Sequence, residues 1–257
     1  MHLLQHPLGE AARSALACLD LTSLNEGDSA ADIERLCERA VGPPWRGGAA
    51  AAVCVWPRFV AQARARLPLG VAVAAVANFP DGGADIERAV ADTEAIVAAG
   101  GDEVDVVLPY RDLDAAPALL AAVRRACAGR RLKVIVESGV LAEEAALRRA
   151  CRIALAAGAD FLKTSTGKTR IGATPAAVRL LLEEIAADAR ACARVGVKPA
   201  GGIRTVAEAA IYIELVAELL GPEAVTPRRL RLGASSLLDD IEAVLGGGPA
   251  PTDATRY

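Results

Sequence analysis

Eight apolar, β-branched runs recur along this chain with helical stretches between them, and that alternation limits the fold more than any other feature. The runs are ALACLDLTS (15–23), AAVCVW (51–56), GVAVAAVAN (70–78), DEVDVVLPY (102–110), RLKVIVESG (131–139), DFLKTSTG (160–167), RVGVKPAGG (194–202) and LRLGASS (230–236). The spacers carry apolar residues at helical spacing: DIERLCERA (32–40), DIERAVADTEAIVAAG (85–100), APALLAAVRRACAG (116–129), AEEAALRRACRIALAAG (142–158), TPAAVRLLLEEIAADA (174–189) and TVAEAAIYIELVAELLG (205–221). Several begin at an N-capping Asp or Thr and end at Gly. Thr174 before Pro175 puts the proline at the first helical position. Eight strands alternating with helices within about 250 residues predict an α/β fold, a single (β/α)8 TIM barrel. A doubly wound open sheet is the rival, because pattern alone does not exclude a reversal of strand order. One barrel domain is expected over residues 1–245, followed by a mobile Gly/Pro/polar tail, GGGPAPTDATRY (246–257).

Composition narrows the function. Hydrophobic residues make up 53% and aromatics 3%, so the core is aliphatic. A net charge of −3 argues against a nucleic-acid surface, which needs clustered excess base. No run approaches the roughly 20 apolar residues of a membrane span. The N-terminus lacks a basic-then-apolar signal pattern. Six scattered cysteines without a CxxC pair are expected as free thiols in a reducing, cytoplasmic compartment. The two histidines, His2 and His6, leave almost no material for a His-ligated metal site or a Ser-His-Asp triad. Neither metal nor cofactor is therefore expected. Of 29 basic residues only four are lysines: Lys133, Lys163, Lys168 and Lys198. All four fall in or beside candidate strands. Arginine keeps its proton at any working pH, whereas lysine can be made neutral and nucleophilic.

Strands buried on both faces should be continuously apolar, so charges inside them need a reason. Asp20, Glu103, Asp105, Lys133, Glu137, Lys163 and Lys198 all lie within the runs. Period two puts Glu103 and Asp105 on one face, and Lys133, Ile135 and Glu137 on another. Such charges must pair, either as a structural ion-pair network or as an active site at the C-terminal mouth of the barrel. Two lysines and a carboxylate fit Schiff-base chemistry. A neutral lysine attacks an aldehyde to form an imine, and burial and a second cation both lower its pKa. A carboxylate can then move the protons. Which of Lys163 and Lys198 forms the imine stays open on this physics. The ends of runs seven and eight, Lys198-Pro199-Ala200-Gly201-Gly202 and Leu232-Gly233-Ala234-Ser235-Ser236, suit a phosphate site. A Walker loop is excluded for FLKTSTGKT (161–169), because the opening glycine position holds Leu162.

FLKTSTGKT, GVKPAGGIRT, DEVDVVLPY, LGASSLL, CLDLTSL and CVWPRF closely resemble segments of the deoxyribose-phosphate aldolase family. The resemblance runs from about Leu16 to Leu245. It implies a class I aldolase that reversibly cleaves 2-deoxy-D-ribose 5-phosphate to acetaldehyde and D-glyceraldehyde 3-phosphate. It assigns Lys163 as the imine-forming residue, Lys198 as the second lysine and Asp105 as the acid/base carboxylate. It places Gly167, Lys168, Gly201, Gly202, Arg204, Gly233, Ser235 and Ser236 at the sugar phosphate, with Asp20, Cys54 and Thr166 beside the substrate. Tyr257 ends the chain, as a tyrosine does in some relatives, and is expected to fold back and assist proton transfer at the imine's methyl carbon. Two departures stand out. The stretch after Tyr110 is short for the family, and Trp56 replaces a smaller aromatic. The expected partners are a sugar phosphate and aldehydes, without nucleic acid or membrane; a homodimer or higher homo-oligomer fits but no pattern decides it. The alternatives are a Schiff-base aldolase or transaldolase for another sugar phosphate, and a non-catalytic sugar-phosphate-binding barrel.

Overall fold

The computed structural model describes residues 8–141 and 143–246. One parallel strand lies in each of the eight expected runs: β1 (Leu19–Thr22), β2 (Ala52–Val55), β3 (Ala72–Ala77), β4 (Glu103–Val107), β5 (Arg131–Ile135), β6 (Phe161–Lys163), β7 (Gly196–Lys198) and β8 (Leu232–Ala234). Each strand pairs with its neighbour in sequence from β1 to β7, and β8 pairs with β1. The β7–β8 seam closes through single bonds: Val197 N–H donates to Arg229 O (2.9 Å), Arg231 N–H to Val197 O (3.0 Å) and Gly233 N–H to Pro199 O (2.9 Å). The strand order never reverses, so the structure is a (β/α)8 barrel and not the doubly wound rival.

The six expected helices are present as α2 (Ala30–Val41), α4 (Ile86–Ala98), α5 (Ala116–Ala126), α6 (Glu144–Ala156), α7 (Pro175–Ala187) and α8 (Val206–Leu220). Their starts follow local chemistry. Ser29 and Asp32 form a reciprocal capping box on α2, as Thr205 and Glu208 do on α8. Thr174 caps α7 with Pro175 at its first position. Three further helices appear: α1 (Leu8–Ala17), α3 (Val60–Arg66) and α9 (Leu237–Gly246). Helix α1 takes the first residues of the run read as strand one, because Ala15-Leu16-Ala17 has no β-branched residue to oppose helix. It packs against α8 and α9. The expected mobile tail lies, from residue 247 on, outside the described residues.

Strand closure leaves no room at Gly196. A Cβ added there would overlap the Arg229 carbonyl oxygen and the buried Phe161 ring. Gly196→Ala is expected to destabilise the fold by about 1–3 kcal/mol through overpacking. Urea unfolding checks this; an unchanged midpoint would contradict the tight seam.

Candidate active site

Strand register brings the interior charges together. Lys163 on β6 sits opposite Lys198 on β7, and Asp105 on β4 sits opposite Lys133 on β5. Asp20 on β1 lies beside Gly233 on β8. All of these side chains are buried, as are Glu103 and Arg231. Asp105 is the hub. Its Oδ1 faces Lys133 Nζ at 2.6 Å, and its Oδ2 faces Lys163 Nζ at 2.8 Å and Lys198 Nζ at 2.7 Å. Lys198 Nζ also reaches Asp20 Oδ2 at 2.5 Å. Lys133 Nζ reaches Glu103 Oε2 at 2.7 Å. Arg231 closes the lower end, with Asp20 Oδ1 at 2.5 Å and Glu103 Oε1 at 2.7 Å.

The charges decide which lysine gives up its proton most readily. Asp20, Glu103 and Asp105 supply three negative charges, whereas Lys133, Lys163, Lys198 and Arg231 offer four positive ones. Arg131 also touches Glu103, but its side chain is 40% exposed and water solvates it. Burial opposes the charge on Lys198, but Asp105 and Asp20 outweigh it and hold its pKa above the ordinary lysine value. Lys133 behaves likewise among Asp105, Asp20 and Glu103. Lys163 has one carboxylate, Asp105, which it shares with the Lys198 cation. Burial pushes its pKa down, and the Lys198 charge adds to that against the pull of Asp105. A unit charge at about 4 Å is worth about 4 kcal/mol at an effective dielectric of about 20. At Lys163 the repulsion from Lys198 offsets part of the attraction to Asp105, and burial, the largest influence, decides. Burial opposes the charge on Asp105 too, but Lys133, Lys163 and Lys198 hold its carboxyl well below the usual range.

Above this layer opens a cleft of about 330 Å³ with Lys163 on its floor. Its walls come from three strand ends. Thr166, Gly167 and Lys168 follow β6; Gly201, Gly202 and Arg204 follow β7; Gly233, Ser235 and Ser236 belong to the end of β8. Gly201 and Gly202 have φ of +84° and +87°, a conformation that L side chains rarely adopt. Helix α9 starts directly after Ser236, so its positive end faces the cleft. A fourth wall was not foreseen: Thr22, at the end of β1, and Ser23, Leu24 and Asn25 after it. Lys168 Nζ spans toward it and donates to Leu24 O at 2.7 Å.

The residues expected beside the substrate are engaged with other protein groups. Asp20 is fully buried beneath the cleft and engages Lys198 and Arg231, so it faces these cations rather than the cleft. Cys54 is also buried, with Sγ 3.9 Å from Asp105 Oδ2, and burial pushes its thiol pKa up. Thr166 already donates its hydroxyl to Glu137 Oε2 at 2.6 Å. Tyr257 lies outside the described residues. Arg231 was missed, although period two along LRLGASS puts it on one face with Gly233 and Ser235. Among the described residues no cluster of three or more His, Cys, Asp or Glu side chains forms a metal site.

The arrangement can present an uncharged amine to a carbonyl, with a carboxylate and an ammonium ion alongside to move protons. Lys198→Met removes the repelling cation and leaves Asp105 freer to hold a proton on Lys163. Both effects raise the Lys163 pKa. Labelling of Lys163 by a small aldehyde with cyanoborohydride, read by peptide mass spectrometry, is expected to move to higher pH in that variant. A shift to lower pH would contradict the charge assignment.

Known proteins share this chain's pattern. The family model described as DeoC/LacD family aldolase matches residues 14–243. A deoxyribose-phosphate aldolase of Agrobacterium fabrum is 45% identical over 262 residues, covering 99% of this chain and 98% of that protein. A crystal structure from Coccidioides immitis, provisionally named a deoxyribose-phosphate aldolase, superposes with a TM-score of 0.78 at 27% identity, over 93% of this chain and 89% of that one. A provisionally named relative from Toxoplasma gondii ME49 has the same fold, with a TM-score of 0.83 at 23% identity over 94% and 98% of the two chains. The family match across most of the barrel and the 45% identity over nearly all of it lead to one conclusion: the chain belongs to the DeoC/LacD family of aldolases.

Proposed function

We propose that this aldolase reversibly cleaves 2-deoxy-D-ribose 5-phosphate to acetaldehyde and D-glyceraldehyde 3-phosphate through a Schiff base on Lys163. The observation that carries this is a lysine with a lowered pKa on the floor of a cleft, 2.8 Å from a carboxylate. The identity to the Agrobacterium fabrum enzyme supports the substrate.

The neutral Lys163 amine adds to C1 of the open-chain sugar and gives a carbinolamine. Loss of water, with Asp105 and Lys198 handling the protons, gives an iminium ion. Asp105 accepts the proton of the C3 hydroxyl. The C2–C3 bond then breaks, its electron pair moves into the iminium as an enamine, and C3 leaves as the aldehyde of glyceraldehyde 3-phosphate. Protonation of the enamine at C2 and hydrolysis of the imine release acetaldehyde and restore Lys163. The phosphate sits against the backbone at Gly201, Gly202 and Gly233, with Ser235, Ser236 and the start of α9, because glycine N–H groups and a helix N-terminus favour an anion. Arg204 and Lys168 at the rim add positive charge. Buried, free thiols at Cys18, Cys37, Cys54, Cys127 and Cys151 support a cytoplasmic setting. No described helix is long and apolar enough to cross a membrane.

Lys163→Arg keeps a basic side chain but fixes its proton, and so removes the nucleophile. Its kcat/KM for deoxyribose 5-phosphate is expected to fall by at least about 10³-fold. Retained turnover, followed as glyceraldehyde 3-phosphate release, would contradict the imine route.

A further inference from the structure

Among the described residues two that are not glycine have left-handed backbone, Asn78 (φ 53°) and Glu137 (φ 51°). Asparagine visits that region readily; glutamate does not. Glu137 is also fully buried, and among the described residues no lysine or arginine pairs with it. Strain and an unpaired buried carboxyl group therefore coincide at one residue, at the C-terminal end of a barrel strand.

All its side-chain bonds go to one segment. Thr166 N–H donates to Oε2 at 3.3 Å and to Oε1 at 3.4 Å. The Thr166 hydroxyl donates to Oε2 at 2.6 Å, and the Thr169 hydroxyl to Oε1 at 3.1 Å. Thr166 Oγ1 in turn accepts from Lys168 N–H at 3.0 Å, across Gly167, whose φ is +76°. The curl of Thr166-Gly167-Lys168 is thus hung from Glu137. The left-handed backbone turns the Glu137 carbonyl to accept from Val140 N–H (2.9 Å) and Leu141 N–H (3.1 Å), which fixes the turn that carries the carboxyl. Packing extends this frame. A Cβ on Gly139 would overlap Ile171, and one on Gly172 would overlap the backbone of Gly201. Gly201 in turn lies against Gly167. The segment from 166 to 172 is therefore wedged between the Glu137 turn and the paired glycines after β7.

We propose that Glu137 is a positioning residue that shapes the anion end of the cleft, and so sets the preference for a phosphorylated substrate. Its side-chain hydrogen bonds go to Thr166 and Thr169 and not to Lys163; it acts through Thr166 and Gly167. The proposal rests on the aldolase reading for its kinetic test, and stands apart from it for binding.

The experiment measures two things in wild type, Glu137→Gln and Thr169→Val: affinity for inorganic phosphate by calorimetry, and cleavage of 2-deoxyribose with and without its 5-phosphate. Glu137→Gln keeps the shape but turns an amide N–H₂ toward donors. Its phosphate Kd and its KM for the phosphorylated sugar are each expected to rise about tenfold, with kcat and the kcat/KM for the unphosphorylated sugar within about threefold of wild type. Thr169→Val removes one of the bonds and is expected to shift the same two constants about two- to threefold. It decides the question alone if Glu137→Gln does not fold. Unchanged phosphate affinity, or equal losses with both sugars, would overturn the proposal. A wild-type chain that binds phosphate but cleaves neither sugar would refute the aldolase reading, and the phosphate affinities of the variants would still decide the role of Glu137.

Discussion

Seven ionisable side chains share the barrel interior, each at most 3% exposed, and water reaches almost none of them. An ion taken out of water is tolerated only beside an opposite charge, and removing one partner of a buried pair typically costs about 3–5 kcal/mol. Three carboxylates can hold three cations. The interior offers four basic groups, so one is left over. Arg231 cannot release its proton, Lys133 touches three carboxylates, and Lys198 is gripped between Asp20 and Asp105. The remaining group is Lys163, the lysine that faces the cleft. The same pairing that stabilises the barrel interior thereby leaves a nucleophile at its mouth.

The fold turns this into a directional site. Parallel strands point every C-terminal end one way, so polar residues two apart on β4 divide the work by depth. Glu103 lies lower, with Arg231 and Arg131, and is held down to about pKa 2 despite its burial, by Lys133 first and then Arg231. Asp105 lies higher, between three lysines. Beyond the strand ends, the left-handed glycines after β7 and the start of α9 make a region suited to an anion. Chemistry below and anion recognition above thus occupy separate layers. The Glu137 turn belongs to the upper one.

Much of this was legible in the sequence, for physical reasons. The eight strands stood out because strands buried on both faces must be continuously apolar, and the lysines because charge within such runs has no other excuse. Lys163, Lys198 and Asp105 meet because each lies on a barrel strand with its side chain inward. The pairing was not legible. Asp20 was expected beside substrate; its carboxylate meets Lys198 and Arg231, because pattern fixes which face a residue takes but not which charges it meets there. Arg231 follows Arg228 and Arg229 in the chain, and composition does not say which arginine turns inward. Glu137 was placed on the face of Lys133 and Ile135 by period two, but its left-handed backbone ends the alternation and sends the carboxyl to the loop after β6. Helix α1 escaped because its last residues, Ala15-Leu16-Ala17, were read into strand one, and the wall at Ser23–Asn25 because turn residues carry no signal of what they face.

The most direct test of the charge account is borohydride reduction in the presence of 2-deoxyribose 5-phosphate, followed by peptide mass spectrometry. The account predicts a reduced adduct on Lys163 and none on Lys198 or Lys133, because only the lysine left without its own carboxylate is neutral enough to attack. An adduct on Lys198 would show that the proton sits on the other lysine of the pair, and would contradict the reasoning from charge balance.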